Sequence, residues 1–298
     1  MSVDDKGLVR RRSAGWWALA LSAMIACTGR PPATPPIETA PPTRNWVQVW
    51  GDEFDGPAGA RISSDNWVYD IGDGCAQGNC GWGNNEKEYY SNLPSNISLN
   101  GQGQLMIVAR ASAPGLRCYY GACRYTSGKI TTRGKVVVEP GRVEARIKLA
   151  VGQGLWPAFW LLGSTCPEKP WPACGEIDIM ENKGSQPTST SSALHGPGYS
   201  GATPFVHVNK LSSGNITDFH TYAVEWDSTH VRFFVDDALH YQITRDQVER
   251  YGKSVLGNSF HLILNLAVGG HFDGDPQSDQ IFPATMVVDY VRVYRPAS

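Results

Sequence analysis

Arg142-Val143-Glu144-Ala145-Arg146-Ile147-Lys148-Leu149 alternates charged and apolar residues without a break. Successive side chains of a β-strand point to opposite faces, so the stretch reads as a half-buried strand. Runs of similar β character lie at 104–110, 222–226, 231–235, 261–268 and 286–294. Clusters of Gly, Pro, Asn and Asp separate them, and Asp227-Ser228-Thr229-His230 reads as the turn of a hairpin. Only residues around 246–251 suggest a short helix. Many antiparallel strands with no helices between them predict an all-β sandwich or jelly roll.

The chain has 298 residues, of which 41% are apolar and 18% charged, enough for a sizeable core. A net charge of -2 offers no basic surface to nucleic acid. Residues 46–296 contain no linker or repeat and read as a single domain, expected to be monomeric. The start is different. Lys6 and Arg10 to Arg12 precede an apolar run at 14–26, which is shorter than the roughly 20 residues of a membrane span. Residues 1–27 therefore read as a signal peptide. Met24-Ile25-Ala26-Cys27 resembles a lipoprotein cleavage box, with Cys27 as the lipidated residue; plain secretion is the alternative. Residues 28–44 carry six prolines and read as an extended spacer. The protein is thus expected to be exported, meeting a membrane only through that anchor.

Without Cys27, six cysteines remain in three close pairs. The local pairing Cys75–Cys80, Cys118–Cys123, Cys166–Cys174 is the simplest of the fifteen available, and export permits it. Zinc is the rival reading, but these spacings are not those of common zinc sites.

Gly175-Glu176-Ile177-Asp178-Ile179-Met180-Glu181-Asn182 places three acids on one presumptive strand. Glu176 and Asp178 share a face, whereas Glu181, five residues on from Glu176, would face away unless a β-bulge near Met180 restores the phase. With that bulge three carboxyls line one cleft. Like charges so close cannot all ionise, so one should keep a proton near neutral pH. A retaining glycosidase needs that state: one carboxylate attacks while a protonated partner donates to the leaving oxygen. An exposed acidic face, or calcium ligands, would carry the same pattern.

The flanking sequence favours catalysis. Gly175 to Asn182 resembles the signature of glycoside hydrolase family 16, in the bulged form of its bacterial laminarinases. Gly154-Leu155-Trp156-Pro157-Ala158-Phe159-Trp160-Leu161-Leu162-Gly163 is similar to the strand before that site, and Trp82-Gly83-Asn84-Asn85-Glu86 with Tyr89-Tyr90 to a substrate-binding loop. Asn265-Leu266-Ala267-Val268-Gly269-Gly270 and Val288-Asp289-Tyr290-Val291-Arg292-Val293-Tyr294 resemble C-terminal strands of the family.

The resemblance implies a catalytic domain over 45–298: a curved, lectin-like jelly roll of the concanavalin kind with a groove on its concave face. It implies endo-hydrolysis of β-1,3-glucan with Glu176 as nucleophile, Asp178 as its assistant and Glu181 as acid/base. Trp156, Trp160 and His195 would flank the scissile bond, although each could be a core residue. Trp171 would sit at the groove edge, and Asn85, Arg133 and Asn265 are candidates for sugar hydroxyls. No cofactor is implied for catalysis, but a structural calcium ion is, held by Glu53, the Gly101 carbonyl and Asp289. The enzymatic rivals are a mixed-linkage β-1,3-1,4-glucanase or a transglycosylase of the same family; the rival of another class is a non-catalytic glucan-binding module. The chain departs from the family pattern at Pro140, Asp237-Ala238 and Phe272, and the Cys118–Cys123 loop looks like an addition.

Overall fold

The computed structural model describes residues 45–166 and 168–297. The expected signal peptide, the spacer and Cys27 lie outside the described residues. The strands, in chain order, are β1 (Trp46–Asp52), β2 (Val68–Tyr69), β3 (Glu88–Tyr90), β4 (Ile97–Leu99), β5 (Leu105–Ala109), β6 (Arg117–Cys118), β7 (Gly121–Ala122), β8 (Tyr125–Ser127), β9 (Lys129–Thr131) and β10 (Arg142–Lys148). There follow β11 (Leu155–Gly163), β12 (Glu176–Glu181), β13 (Ser189–His195), β14 (Phe205–Lys210), β15 (His220–Trp226), β16 (His230–Val235), β17 (Ala238–Thr244), β18 (Phe260–Val268) and β19 (Ala284–Pro296). The one α-helix among the described residues, α1 (Arg245–Glu249), starts a residue before the expected 246, because Thr244 and Gln247 form a capping box there.

Two antiparallel sheets make the expected sandwich. The first has eight strands, ordered β17-β16-β15-β10-β19-β5-β4 with β1 also on β19; the second has seven, ordered β14-β13-β12-β11-β18-β9-β2. Between them lies one apolar cluster that includes Val143, Ala145 and Ile147 of β10, Tyr222, Val224 and Trp226 of β15, Phe159 and Leu161 of β11, and Leu262, Leu264 and Leu266 of β18. Burying each large side chain contributes roughly 1.5–3 kcal/mol, which makes this cluster the main source of stability. The thirteen residues of β19 organise the first sheet: one edge pairs with β10, and the other with β5 through Ala284–Val288 and with β1 through Val291–Pro296.

The strand that announced the fold is less open than its alternation implies. Arg142 and Glu144, on its polar side, are buried. Arg142 donates to Glu144 at 2.9 Å and to Glu225 and Asp237 at 3.0 Å, and the Tyr294 hydroxyl donates to Glu144 at 2.9 Å. Polar residues therefore cover one another on that face. Asp236 and Asp237, with φ of 50° and 61°, take the left-handed turn positions for which glycine is the default. Aspartate tolerates that backbone, and here it adds a carboxylate to Arg142. Arg142→Ala should cost about 3 kcal/mol in a urea melt, because it strands Glu144 and Glu225 without their cation. An unchanged midpoint would show the network to be idle.

Candidate active site

The bulge is present in β12. Across β11, Glu181, Asp178 and Glu176 oppose Ala158, Trp160 and Leu162; across β13, they oppose Ser191, Ala193 and His195. Each step of two on the partner strand keeps one face, so all three acids point the same way. The register shifts fall between Phe159 and Trp160 and between Asp178 and Glu181, and both Ile179 and Met180 are buried in the core. Four residues of partner strand separate Glu176 from Glu181, about 13 Å between Cα atoms. The two long side chains flank the shorter Asp178.

The acids perturb one another. Burial, then the charge of Asp178, pushes Glu176 up to about 8. Burial raises Asp178 to about 8, and a hydrogen bond with Glu176 opposes this. Glu181 is also raised to about 8, by burial first and by Asp178 second. His195 Nε2 lies 3.0 Å from Asp178 and 3.8 Å from Glu176. The cluster thus holds protons at neutral pH, and each proton lost makes the next harder to lose. Such a set can present a nucleophile and a proton donor together.

Aromatic groups frame the acids. Trp156 Nε1 donates to Glu181 at 3.0 Å, and the Trp156 ring stacks on Phe272 with centroids 4.6 Å apart. The departure at Phe272 thus supplies an aromatic partner at the groove wall. Trp171 is 45% exposed, hydrogen-bonds Glu176 and lies 6.0 Å from the His195 ring. That leaves its face open to a sugar ring.

Asn265 is placed behind the groove surface. Its Oδ1 accepts from Trp160 Nε1 at 2.8 Å and its Nδ2 donates to the Tyr90 hydroxyl at 3.1 Å, so both ends of the amide are engaged by protein. Tyr90 donates in turn to Glu86 at 3.2 Å, and Glu86 hydrogen-bonds Glu88, which accepts from Val268 N at 2.7 Å. Burial raises both glutamates, which lets one carboxyl donate to the other. The chain of bonds fixes the Trp160 indole from beneath. Arg133 is half exposed and bound to Asp70 at 2.9 Å. Asn85 is exposed on the loop before β3, its Oδ1 accepting from Lys87 and Tyr119.

Several of these groups escaped the sequence reading. Lys129 is buried, with its ammonium 4.0 Å from the Trp82 ring centroid and 5.3 Å from that of Trp160. Its place follows from pairing, since Lys129 opposes Asn265 on β18, and the short run Lys129–Thr131 gave no sequence signal for it. Glu86 and Tyr90 belong to the loop motif quoted above, but nothing local marks Glu88, or Tyr119, whose partners Asp73 and Asn85 stand 46 and 34 positions away.

The calcium ligands named above fit poorly. Both oxygens of Glu53 accept from Arg292 at 2.8 Å, and Asp289 accepts from Arg146 at 2.8 Å and from Gln104 at 3.1 Å. A cation there would have to displace two arginines. Among the described residues, the one group of three His, Cys, Asp or Glu side chains with donor atoms within 4.8 Å is Glu176, Asp178 and His195, part of the acid site itself. The cysteines form the three expected disulfides, Cys75–Cys80, Cys118–Cys123 and Cys166–Cys174.

Comparison with known proteins agrees with this geometry. A beta-glucanase of Rhodothermus marinus is 36% identical over 291 residues, covering 93% of each chain. The endo-beta-1,3-glucanase structure from Pyrococcus furiosus superposes with a TM-score of 0.81 at 42% identity, covering 86% of this chain and 96% of that one. The laminarinase catalytic domain of Thermotoga maritima gives 0.79 at 40% identity, with 85% and 100% covered. Residues 77–292 match the family description "Glycosyl hydrolases family 16". A match over most of the sandwich, including every acid of the bulged strand, makes this chain a member of glycosyl hydrolase family 16.

Proposed function

We propose that the protein is a retaining endo-β-1,3-glucanase acting on laminarin-type glucan. The bulge in β12 carries this reading, because it sets three carboxyls with raised proton affinity on the groove face beside Trp156 and Trp160. The names borne by the relatives supply the linkage and the endo mode. In the first step Glu176, in the fraction of molecules in which it has lost its proton, attacks the anomeric carbon while Glu181 gives its proton to the departing glycosidic oxygen. A covalent glycosyl-enzyme results. Glu181, now a carboxylate, takes a proton from water, whose oxygen displaces Glu176 and restores the original anomeric configuration. Asp178 bridges Glu176 and His195, which holds the nucleophile in line. No cofactor enters these steps.

Reducing-sugar release from laminarin, lichenan and carboxymethylcellulose tests the reading. Release is expected from laminarin first. Equal or faster release from lichenan would move the assignment to a mixed-linkage enzyme, and binding without release to a glucan-binding module.

We propose also that the chain is exported and tethered through Cys27. The three disulfides favour an oxidising compartment. Cys27→Ala should release the enzyme from the membrane fraction into the soluble one. A wild type already soluble would leave plain secretion instead.

A further inference from the structure

The Cys118–Cys123 hairpin, which looks like an addition to the family pattern described above, is built against the groove loop. It consists of β6 and β7 closed by that disulfide, and it packs on the loop that the Cys75–Cys80 bridge closes. Tyr119 N donates to Asp73 Oδ2 at 2.6 Å, while Asp73 Oδ1 accepts from Cys75 N at 3.2 Å, so one carboxylate ties both loops together. The Tyr119 ring lies over Gly81, where an added Cβ would come within 3.0 Å of it.

The hairpin's polar atoms converge on Asn85. Tyr119 donates its hydroxyl proton to Asn85 Oδ1 at 2.7 Å, and Lys87 Nζ donates to the same Oδ1 and to the Tyr119 oxygen, each at 2.9 Å. The Tyr120 hydroxyl bonds the Lys87 carbonyl, and the ammonium lies 5.3 and 5.6 Å from the two tyrosine ring centroids. Asn85 itself sits at φ 61°, a left-handed conformation that needs such support. With Oδ1 doubly occupied, its Nδ2 is the group left to offer a ligand.

The position of this cluster continues the groove. Asn84 O accepts from His271 N at 2.9 Å, one residue before Phe272, which stacks on Trp156. On the other side, Trp82 reaches Trp160 through Lys129. Tyr119 and Tyr120 are each 37% exposed. An aromatic face beside a fixed amide donor suits a neutral sugar ring, which has apolar C–H faces and hydroxyl acceptors.

We propose that Tyr119 is a specificity-determining residue, and that its hairpin extends the groove by a distal subsite for a glucosyl unit remote from the scissile bond, where Tyr119 aims the Asn85 amide at a hydroxyl. The proposal rests on the glucanase reading. It is tested by steady-state kinetics of the wild type, Tyr119→Phe and the double variant Cys118→Ser/Cys123→Ser on laminarin oligosaccharides of increasing length. Tyr119→Phe should raise KM about fivefold on the longest substrates, the effect of one lost hydrogen bond, with kcat unchanged. On the shortest substrate cut, both constants should match the wild type. A KM unchanged at every length would overturn the proposal, as would a kcat that falls equally at every length, which marks a structural role. Should the double variant not fold, Tyr119→Phe, with both bridges intact, still decides. A wild type that cuts no β-1,3-glucan sinks the functional reading rather than this one. Retarded migration in laminarin gels, lost in Tyr119→Phe, would then still support the subsite, and equal migration of the two proteins would end it.

Discussion

Glu176→Gln is expected to lower the rate on laminarin by about 10⁴-fold, roughly 5.5 kcal/mol of barrier. The amide keeps the shape of the side chain and its bond from Trp171 but cannot attack the anomeric carbon. The same change should stabilise the fold. Burial holds a proton on Glu176 up to about pH 8 in the folded chain, whereas its ordinary value is 4.5. Below the ordinary value the group is neutral in both states and costs nothing. As pH rises between the two values, the unfolded chain releases its proton and the folded chain does not, so wild-type stability falls. Above the folded value the loss is complete. The amide variant has no such loss, so its Tm should exceed that of the wild type by a few °C at pH 8, with the gap closing toward pH 4. Thermal melts across pH, beside an assay on laminarin, check both halves. Full activity would show that Glu176 is not the nucleophile, and a Tm below wild type at pH 8 that burial does not hold its proton.

Glu181→Gln should slow laminarin hydrolysis by about 10³-fold through loss of the proton donor. The glycosylation step should be nearly spared on an aryl β-glucoside whose phenolate leaves without protonation, because such a bond needs no acid. The pH profile separates the roles further. The acids lose protons in sequence, and Glu181 keeps its own to about 8. Wild-type kcat/KM should therefore rise toward about pH 8 as Glu176 ionises and fall beyond it as Glu181 loses its proton, and the variant should keep the rise and lack the fall. Equal losses on both substrates would reassign Glu181 to a binding role.

The sandwich and the acid trio were legible in the sequence because their signals are local. Residues 142–149 and 286–294 alternate or cluster in plain view, and an odd spacing from Glu176 to Glu181 forces a bulge if the acids are to meet. The covering of Arg142 was not legible, since Glu225 and Asp237 stand 83 and 95 positions away. Nor was the duty of Asn265. Its motif marks a place at the groove, but its partner Tyr90 is 175 positions away. The sequence signalled an added Cys118–Cys123 loop without saying what it touches, because a disulfide fixes the loop's ends and not its neighbour. The surroundings of the expected calcium ligands were hidden for a related reason: spacing reveals carboxylates but not the arginines of other strands that pair with them.

The place of β19 has a consequence for biosynthesis. This strand, Ala284–Pro296, lies at the heart of the first sheet, with β10 on one side and β1 and β5 on the other. Until it has left the ribosome, β1, β5 and β10 each lack a neighbour, and the nascent polypeptide cannot close its larger layer. Closing the first sheet must therefore wait until translation has passed residue 296, and until then the unpaired edges of β1, β5 and β10 stay open to chaperones.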